Sequence, residues 1–286
     1  VSSSPPDNLA PVGLIAGEGH LPIATARGIR AAGRRVVAVG LRYQFDPALP
    51  ELCDAFSSAG IIQIGRWIRV LRRAGVTEAV MVGRVRKVRM YDPLYLVQQL
   101  PDWRAARLWF GRLRHDKRND AILGAVADEL ASEGITLVDS TRYIPQELAD
   151  EGVMTRSQPT AGHRADIAFA LPIIQRMGDL DVGQSIAVKD REIVAVEAIE
   201  GTDRMIDRAG ELCRRGGWTL VKIAKPGQDM RFDVPVIGIQ TIRKMHTTGG
   251  TCIAVEAGRT IILDKPAALA EADRLGIAIM GIRASG

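Results

Sequence analysis

The chain has 286 residues, 47% hydrophobic and 25% charged, which is enough apolar material for one large or two modest cores and excludes a disordered or fibrous protein. Its formal charge is +5 with a sequence pI near 9.3, a mild basic excess that favours anionic ligands without choosing among phosphates, nucleic acid and an anionic membrane surface. No run of 18 uncharged apolar residues occurs, which excludes a membrane-spanning helix. Cys53, Cys213 and Cys252 are far apart and form no CxxC pair, which argues against a zinc or disulfide framework and for free thiols in the cytoplasm.

Residues 1–11 carry no apolar signal region and read as a disordered tail. The apolar run at 12–17 reads as a strand, 21–32 as a helix stopped by Gly33, and 36–41 as a second strand. A short strand at 61–64, a helix at 67–74 with arginines on its open face, and a strand at 79–82 follow. Residues 94–134 read as helical, interrupted at Pro101, and 135–138 as a strand. Short apolar strands alternating with helices imply a parallel sheet covered on both faces, here an N-terminal Rossmann-like domain over 12–145. Residues 146–163, with Gly152, Pro159 and Gly162 and little periodicity, read as a linker. Residues 164–286 then read as a C-terminal α/β catalytic domain with a mixed sheet. It opens on a helix at 165–177 and a hairpin of 185–189 with 192–198 around Asp190-Arg191. A helix at 203–212 capped by Thr202, a strand at 219–224 and a helix at 241–246 come next. Strands at 252–256 and 260–263, a helix at 267–275 and a strand at 277–280 complete it.

Chemistry concentrates at a few strand ends. Gly17-Glu18-Gly19 lies between a strand and a helix, where glycines let backbone approach a phosphate and the helix N-terminus offers unpaired N–H groups. Pro22 stands where a dinucleotide fingerprint has its third glycine, so an anion loop and a plain tight turn both stay open. In Gly83-Arg84-Val85-Arg86-Lys87, directly after a strand, Gly83, Arg84 and Lys87 are candidates for a phosphate clamp, with a solvated turn as the alternative. Arg114 to Asp120 is a dense charged stretch before a helix. The densest segment packs Lys225, Gln228, Asp229, Arg231 and Asp233 into nine positions. Asp229 and Asp233 are candidates to hold a hard divalent ion, Mg²⁺ or Mn²⁺, or to orient a water, and Lys225 and Arg231 to neutralise phosphate charge in a transition state. Glu197, Glu200, Gly201, Thr202 and Asp203, together with Glu256, suggest a carboxylate-lined cleft. The four histidines show no HExxH spacing, and neither a GxSxG elbow nor a Walker A motif occurs.

Five stretches together resemble the LpxI-type UDP-2,3-diacylglucosamine pyrophosphatases: GLIAGEGHLP at 13–22, GRVRK at 83–87, EAIEGTDRMIDRAG at 197–210, KPGQDMRFDVPVIG at 225–238 and AVEAGRTIILD at 254–264. The resemblance runs from about residue 12 to 282. It implies Mg²⁺-dependent hydrolysis of the pyrophosphate of UDP-2,3-diacylglucosamine to UMP and 2,3-diacylglucosamine 1-phosphate (lipid X) in lipid A biosynthesis, with two domains enclosing the glycolipid. It also implies an essential aspartate, assigned to Asp229 with Asp233 as its near neighbour. The expected catalytic set is then Asp229, Asp233, Lys225 and Arg231. The expected substrate contacts are Gly17, Glu18, Gly19, Gly83, Arg84, Lys87, Gly201, Thr202, Asp203, Gln228 and Glu256. A substrate with two acyl chains calls for peripheral contact with the cytoplasmic face of the inner membrane, for which the region around Trp103, Leu108, Trp109 and Phe110 is the candidate. Nucleic acid is not an expected partner, and a homodimer is the default assembly. Two other readings stay open: a nucleotide-sugar or lipid binding protein without turnover, and a nucleotide-dependent oxidoreductase.

Overall fold

The aliphatic runs Val12–Ala16 (β1) and Val36–Leu41 (β2) are buried along their whole lengths, as strands covered on both faces must be. They pair in parallel in a computed structural model that describes residues 10–85, 102–110 and 119–284, the side chains of Trp109, Phe110, Asn119 and Asp120 excepted. The expected tail at 1–9, Arg86 and Lys87, the helical reading of 94–101 and the charged run 114–118 lie outside the described residues. The chain divides into two compact units, Val1–Ile144 with Asp229–Phe232, and Pro145–Gln228 with Asp233–Gly286.

In the first unit Ala55–Ala59 (β3), Glu78–Val82 (β4) and Thr136–Leu137 (β5) complete a parallel sheet in the order β3-β2-β1-β4-β5. Alternation along β1 sends Leu14 to one face, where Ile23, Ala26 and Ile29 of helix Leu21–Ala31 (α1) cover it. Ile15 goes to the other face, under Trp67, Ile68 and Leu71 of Ile64–Arg73 (α2) and Val126, Ala127 and Leu130 of Asn119–Ala131 (α4). Helix Trp103–Phe110 (α3) adds Ala105 and Leu108 to that second core. The strand expected at 61–64 is instead β3 at 55–59. An edge strand needs only one buried face, so Ala-Phe-Ser-Ser-Ala shows no apolar run, while Ile61 and Ile62 reach the core from a turn and Ile64 opens α2.

In the second unit a six-stranded sheet runs from edge to edge through residues 152–153, 278–282, 250–256, 218–222, 185–189 and 192–196. Trp218–Lys222 (β9), Gly250–Glu256 (β11) and Ala278–Ile282 (β13) run parallel. Gly152–Val153 (β6), Ser185–Lys189 (β7) and Glu192–Val196 (β8) join antiparallel, making the sheet mixed. Asp190 and Arg191 turn the hairpin with φ of 52° and 61°, the paired positive values that match strand twist. Residues 146–163, expected as a linker, carry β6 and the first turn of Ala161–Asp179 (α5). A two-residue strand shows no period, and the pairing of Val153 with Met280 becomes visible only in the sheet. Helix α5 covers one face through Ile167, Ala170 and Ile174. Thr202–Leu212 (α6), Ile239–Thr247 (α7) and Lys265–Leu275 (α8) cover the other. Val236–Ile237 (β10) and Ile261–Ile262 (β12) form a separate parallel pair.

Candidate functional site

The turning point of the first sheet lies between β1 and β4, where open α/β sheets bind ligands beyond the strand carboxyl ends. Both expected glycine loops are there, and they are laced to each other. Gly17 N donates to Val82 O at 2.8 Å, Glu18 N to Arg84 O at 2.9 Å, and Arg84 N back to Glu18 O at 2.9 Å. A Cβ on Gly17 would lie 2.8 Å from Arg84 O, and one on Gly83, whose φ is +101°, 2.7 Å from the Gly17 carbonyl carbon. These two glycines are therefore demanded by the close approach of two backbones, and the amides of Gly17 and Glu18 are already committed to protein carbonyls. Gly19, exposed at φ +104°, leads into α1, where Pro22 occupies the first turn and no side chain caps the end.

Residues 229–232 are also built into this unit. Ser140 donates twice to Met230 O, from its amide at 3.0 Å and its hydroxyl at 2.8 Å, and Phe232 packs on the core under α2 and α4. Beside these anchors Asp229 and Arg231 close on one another. Arg231 Nε donates to both carboxylate oxygens at 2.9 and 3.0 Å, Nη2 to Oδ2 at 2.6 Å, and the Arg231 amide to Oδ1 at 3.0 Å. The guanidinium also lies 4.9 Å from the Phe232 ring centre. Arg231 holds the Asp229 carboxyl below its ordinary range, so Asp229 is ionised near neutrality and is a weak proton acceptor.

In the second unit β9 delivers Lys222 to its carboxyl end, buried to 4% exposure. Its Nζ donates to Thr202 Oγ1 at 2.7 Å, and that hydroxyl donates to Glu197 Oε1 at 3.0 Å. Glu197 is itself buried, and its Oε2 has no hydrogen-bond partner among the described residues. This chain of contacts corrects the cap expected of Thr202: Gly201, at φ +83°, is the cap residue, and the Thr202 hydroxyl is taken by Lys222 and Glu197. Asp203 is exposed in the first turn of α6. Glu256, at the end of β11, is buried to 4%. It accepts from Ala224 N at 2.8 Å and from Arg259 Nη1 at 3.3 Å, so it braces the root of the polar loop instead of lining an open cleft. Beyond Ala224, Lys225 N donates to Gln228 Oε1 at 2.7 Å, Gln228 Nε2 donates to Asp233 Oδ2 at 2.6 Å, and Lys225 Nζ pairs with Asp181.

Lys225, Gln228 and Asp233 are thus brought into one hydrogen-bonded set, Asp229 and Arg231 into another, and Gly201 and Thr202 adjoin Glu197 and Lys222. Lys222 and Asp181 had not been singled out by the sequence reading. A lysine closing the apolar strand Trp-Thr-Leu-Val-Lys was the available signal for the first, and Asp181, in a turn at φ 56°, gave none. No group of three or more His, Cys, Asp or Glu residues suited to a metal ion occurs among the described residues. Each candidate carboxylate also has a protein partner, Asp229 on Arg231 and Asp233 on Gln228. No helix among the described residues is long and apolar enough to cross a membrane.

Family models described as the LpxI N-terminal domain and the LpxI C-terminal domain match residues 11–147 and 150–280. A Caulobacter vibrioides protein named UDP-2,3-diacylglucosamine pyrophosphatase LpxI is 33% identical over 279 residues, covering 95% of this chain and 97% of that protein. Among solved structures, a biotin carboxylase from Campylobacter jejuni aligns at 12% identity and a TM-score of 0.28, over 71% of this chain and 42% of its own. A nucleoside-diphosphate-sugar epimerase from Pseudomonas aeruginosa aligns at 16% identity and a TM-score of 0.28, over 95% and 88%. Structural likenesses this weak carry no argument here.

Proposed function

Because the chain belongs to the LpxI family, we propose that it hydrolyses the pyrophosphate of UDP-2,3-diacylglucosamine, a step of lipid A synthesis, to UMP and 2,3-diacylglucosamine 1-phosphate. The observation that carries this reading is the segment from Lys225 to Asp233, in which two cations and two carboxylates are each held by a defined partner. Cleaving a phosphoric anhydride calls for cations on the phosphate oxygens and for a water set in line with the leaving group. Lys225 and Arg231 supply the cations. The fork that Arg231 now offers Asp229 fits a phosphate equally well, so bound substrate competes for the guanidinium. Asp229 then accepts a hydrogen bond from the attacking water and orients it, and the proton that the water loses passes to a phosphate oxygen as the bond to the leaving phosphate breaks.

Dependence on Mg²⁺ or Mn²⁺ is part of the proposal. Mg²⁺ commonly takes one or two carboxylates and completes its shell with waters and substrate phosphates, which suits a loop that carries Asp229 and Asp233. Asp229 or Asp233 would hold the ion, which would supply charge stabilisation to the pyrophosphate. A substrate with two acyl chains calls for peripheral contact of the enzyme with the cytoplasmic face of the inner membrane.

The test is release of UMP from UDP-2,3-diacylglucosamine with Mg²⁺ and with EDTA, for the wild type, Asp229→Ala and Asp233→Ala. Metal-dependent release is expected, falling by roughly 10²–10³-fold in Asp229→Ala with substrate binding retained. A smaller loss in Asp233→Ala marks Asp229 as the essential carboxylate. No UMP from the wild type with any divalent ion removes the hydrolase reading and leaves a binding protein.

A further inference from the structure

Helix α2 carries Arg66, Arg69, Arg72 and Arg73 and no acidic residue. Arg66, Arg69 and Arg73 fall within about 60° of one another around the helix, opposite the buried Trp67, Ile68 and Leu71. All three are exposed and none has a carboxylate partner among the described residues. The acids nearby are already committed. Glu133 pairs with Arg72 and Arg104, and Glu129 with Arg104 at 2.7 Å and Arg107 at 2.9 Å. Asp102 spends its carboxylate on backbone, accepting from Gly65 N at 2.6 Å and Arg66 N at 3.3 Å with one oxygen and from Ala105 N at 3.0 Å with the other. That clamp joins the N-terminus of α2 to that of α3, whose first residue is Trp103. The indole of Trp103 is 81% exposed. The same two helices border an open depression of about 410 Å³, lined by Arg69, Arg72, Arg73 and Arg104 with Ile68 and Glu133.

We infer that this face of α2 and α3 is a docking surface for anionic lipid, in which Arg66, Arg69 and Arg73 meet headgroup phosphates and Trp103 enters the interface. The inference rests on the hydrolase reading only for the choice of a lipid surface as partner. Charge complementarity and an exposed indole support it. Basic side chains gather anionic headgroups over a Debye length, and tryptophan settles where an apolar ring and a polar N–H are both satisfied. The depression accepts one phosphate group between arginine forks, while Arg72 and Arg104 stay anchored by Glu133.

The experiment is sedimentation of the full chain with vesicles of phosphatidylcholine alone or with 30% phosphatidylglycerol, at about 100 mM and 500 mM salt. The wild type is compared with Arg66→Glu/Arg69→Glu/Arg73→Glu and with Trp103→Ala, folding being checked by circular dichroism. The expected result is binding to the anionic vesicles only, weakened by salt, lost more than tenfold in the triple variant and reduced in Trp103→Ala. Inorganic phosphate at 10 mM is expected to leave vesicle binding unchanged. Hydrolysis of detergent-dispersed substrate stays at the wild-type level in the triple variant while hydrolysis in anionic vesicles falls. Wild-type binding in the triple variant, equal binding to phosphatidylcholine, displacement by inorganic phosphate or no vesicle binding at all overturns the docking surface. Vesicle binding without turnover in detergent leaves the docking surface standing and removes the hydrolase reading instead.

Discussion

The two glycine loops of the first unit and the start of the polar loop, residues 223–228 of the second, stand at the same kind of place, the carboxyl ends of parallel strands, and use their backbones differently. Gly17 and Gly83 bring two chain segments into contact, and the amides of Gly17 and Glu18 go to the carbonyls of Val82 and Arg84. In the loop that leaves β9, two backbone amides go to side chains, Ala224 to Glu256 and Lys225 to Gln228, and the longer side chains are oriented by one another. Glycine at a strand end thus has two separate causes, approach of a ligand and approach of another strand end, and only the neighbours distinguish them. Charged residues packed into a short loop have fewer structural explanations, because each must find a partner or remain solvated.

The comparison breaks most visibly at Gly83. Alanine there is expected to cost roughly 2–4 kcal/mol, from a positive φ and a Cβ driven into the Gly17 backbone, measured by denaturant unfolding. Wild-type stability with lost substrate affinity would instead make this glycine a ligand contact. A smaller effect is expected from Thr202→Val, which leaves Lys222 and Glu197 each one hydrogen bond short in a buried setting and costs about 1–3 kcal/mol. Unchanged stability with impaired turnover would move the Thr202 cluster from scaffold to substrate.

The smallest effect is expected at the cap of α5. His163 accepts from Thr160 N through Nδ1 at 3.2 Å, so in the neutral ring Nε2 carries the proton and donates to Thr251 Oγ1 at 3.1 Å. Burial lowers the His163 pKa from its ordinary 6.5. Because the folded value lies below the unfolded one, this contribution is complete above 6.5 and is lost as pH falls through the folded value. His163→Gln is therefore expected to cost about 1 kcal/mol at pH 7.5 and less at pH 5, read as a gap in melting temperature that narrows on acidification. A gap that stays constant with pH would mean that Nδ1 is not an acceptor in the cap.

Patterns carried by single segments were legible in advance. The buried runs of β1 and β2, the Asp190-Arg191 hairpin and the concentration of charge at 225–233 each have a local cause, burial on both faces, a positive-φ turn and a crowded loop. Features that need a partner from elsewhere in the chain were not. The edge strand β3 is half exposed and has no apolar signature, and β6 is defined only by its pairing with β13. Thr202 looked like a cap because nothing local announces that Lys222, twenty residues on, will take its hydroxyl. Glu256 looked like a cleft carboxylate until Ala224 N and Arg259 were seen to hold it. By itself the sequence determined an α/β chain with its family motifs at strand ends, since period and composition act over a few residues. Which polar groups are spent on the scaffold follows from the packed chain, because a buried donor or acceptor is satisfied by whatever the fold brings within about 3 Å.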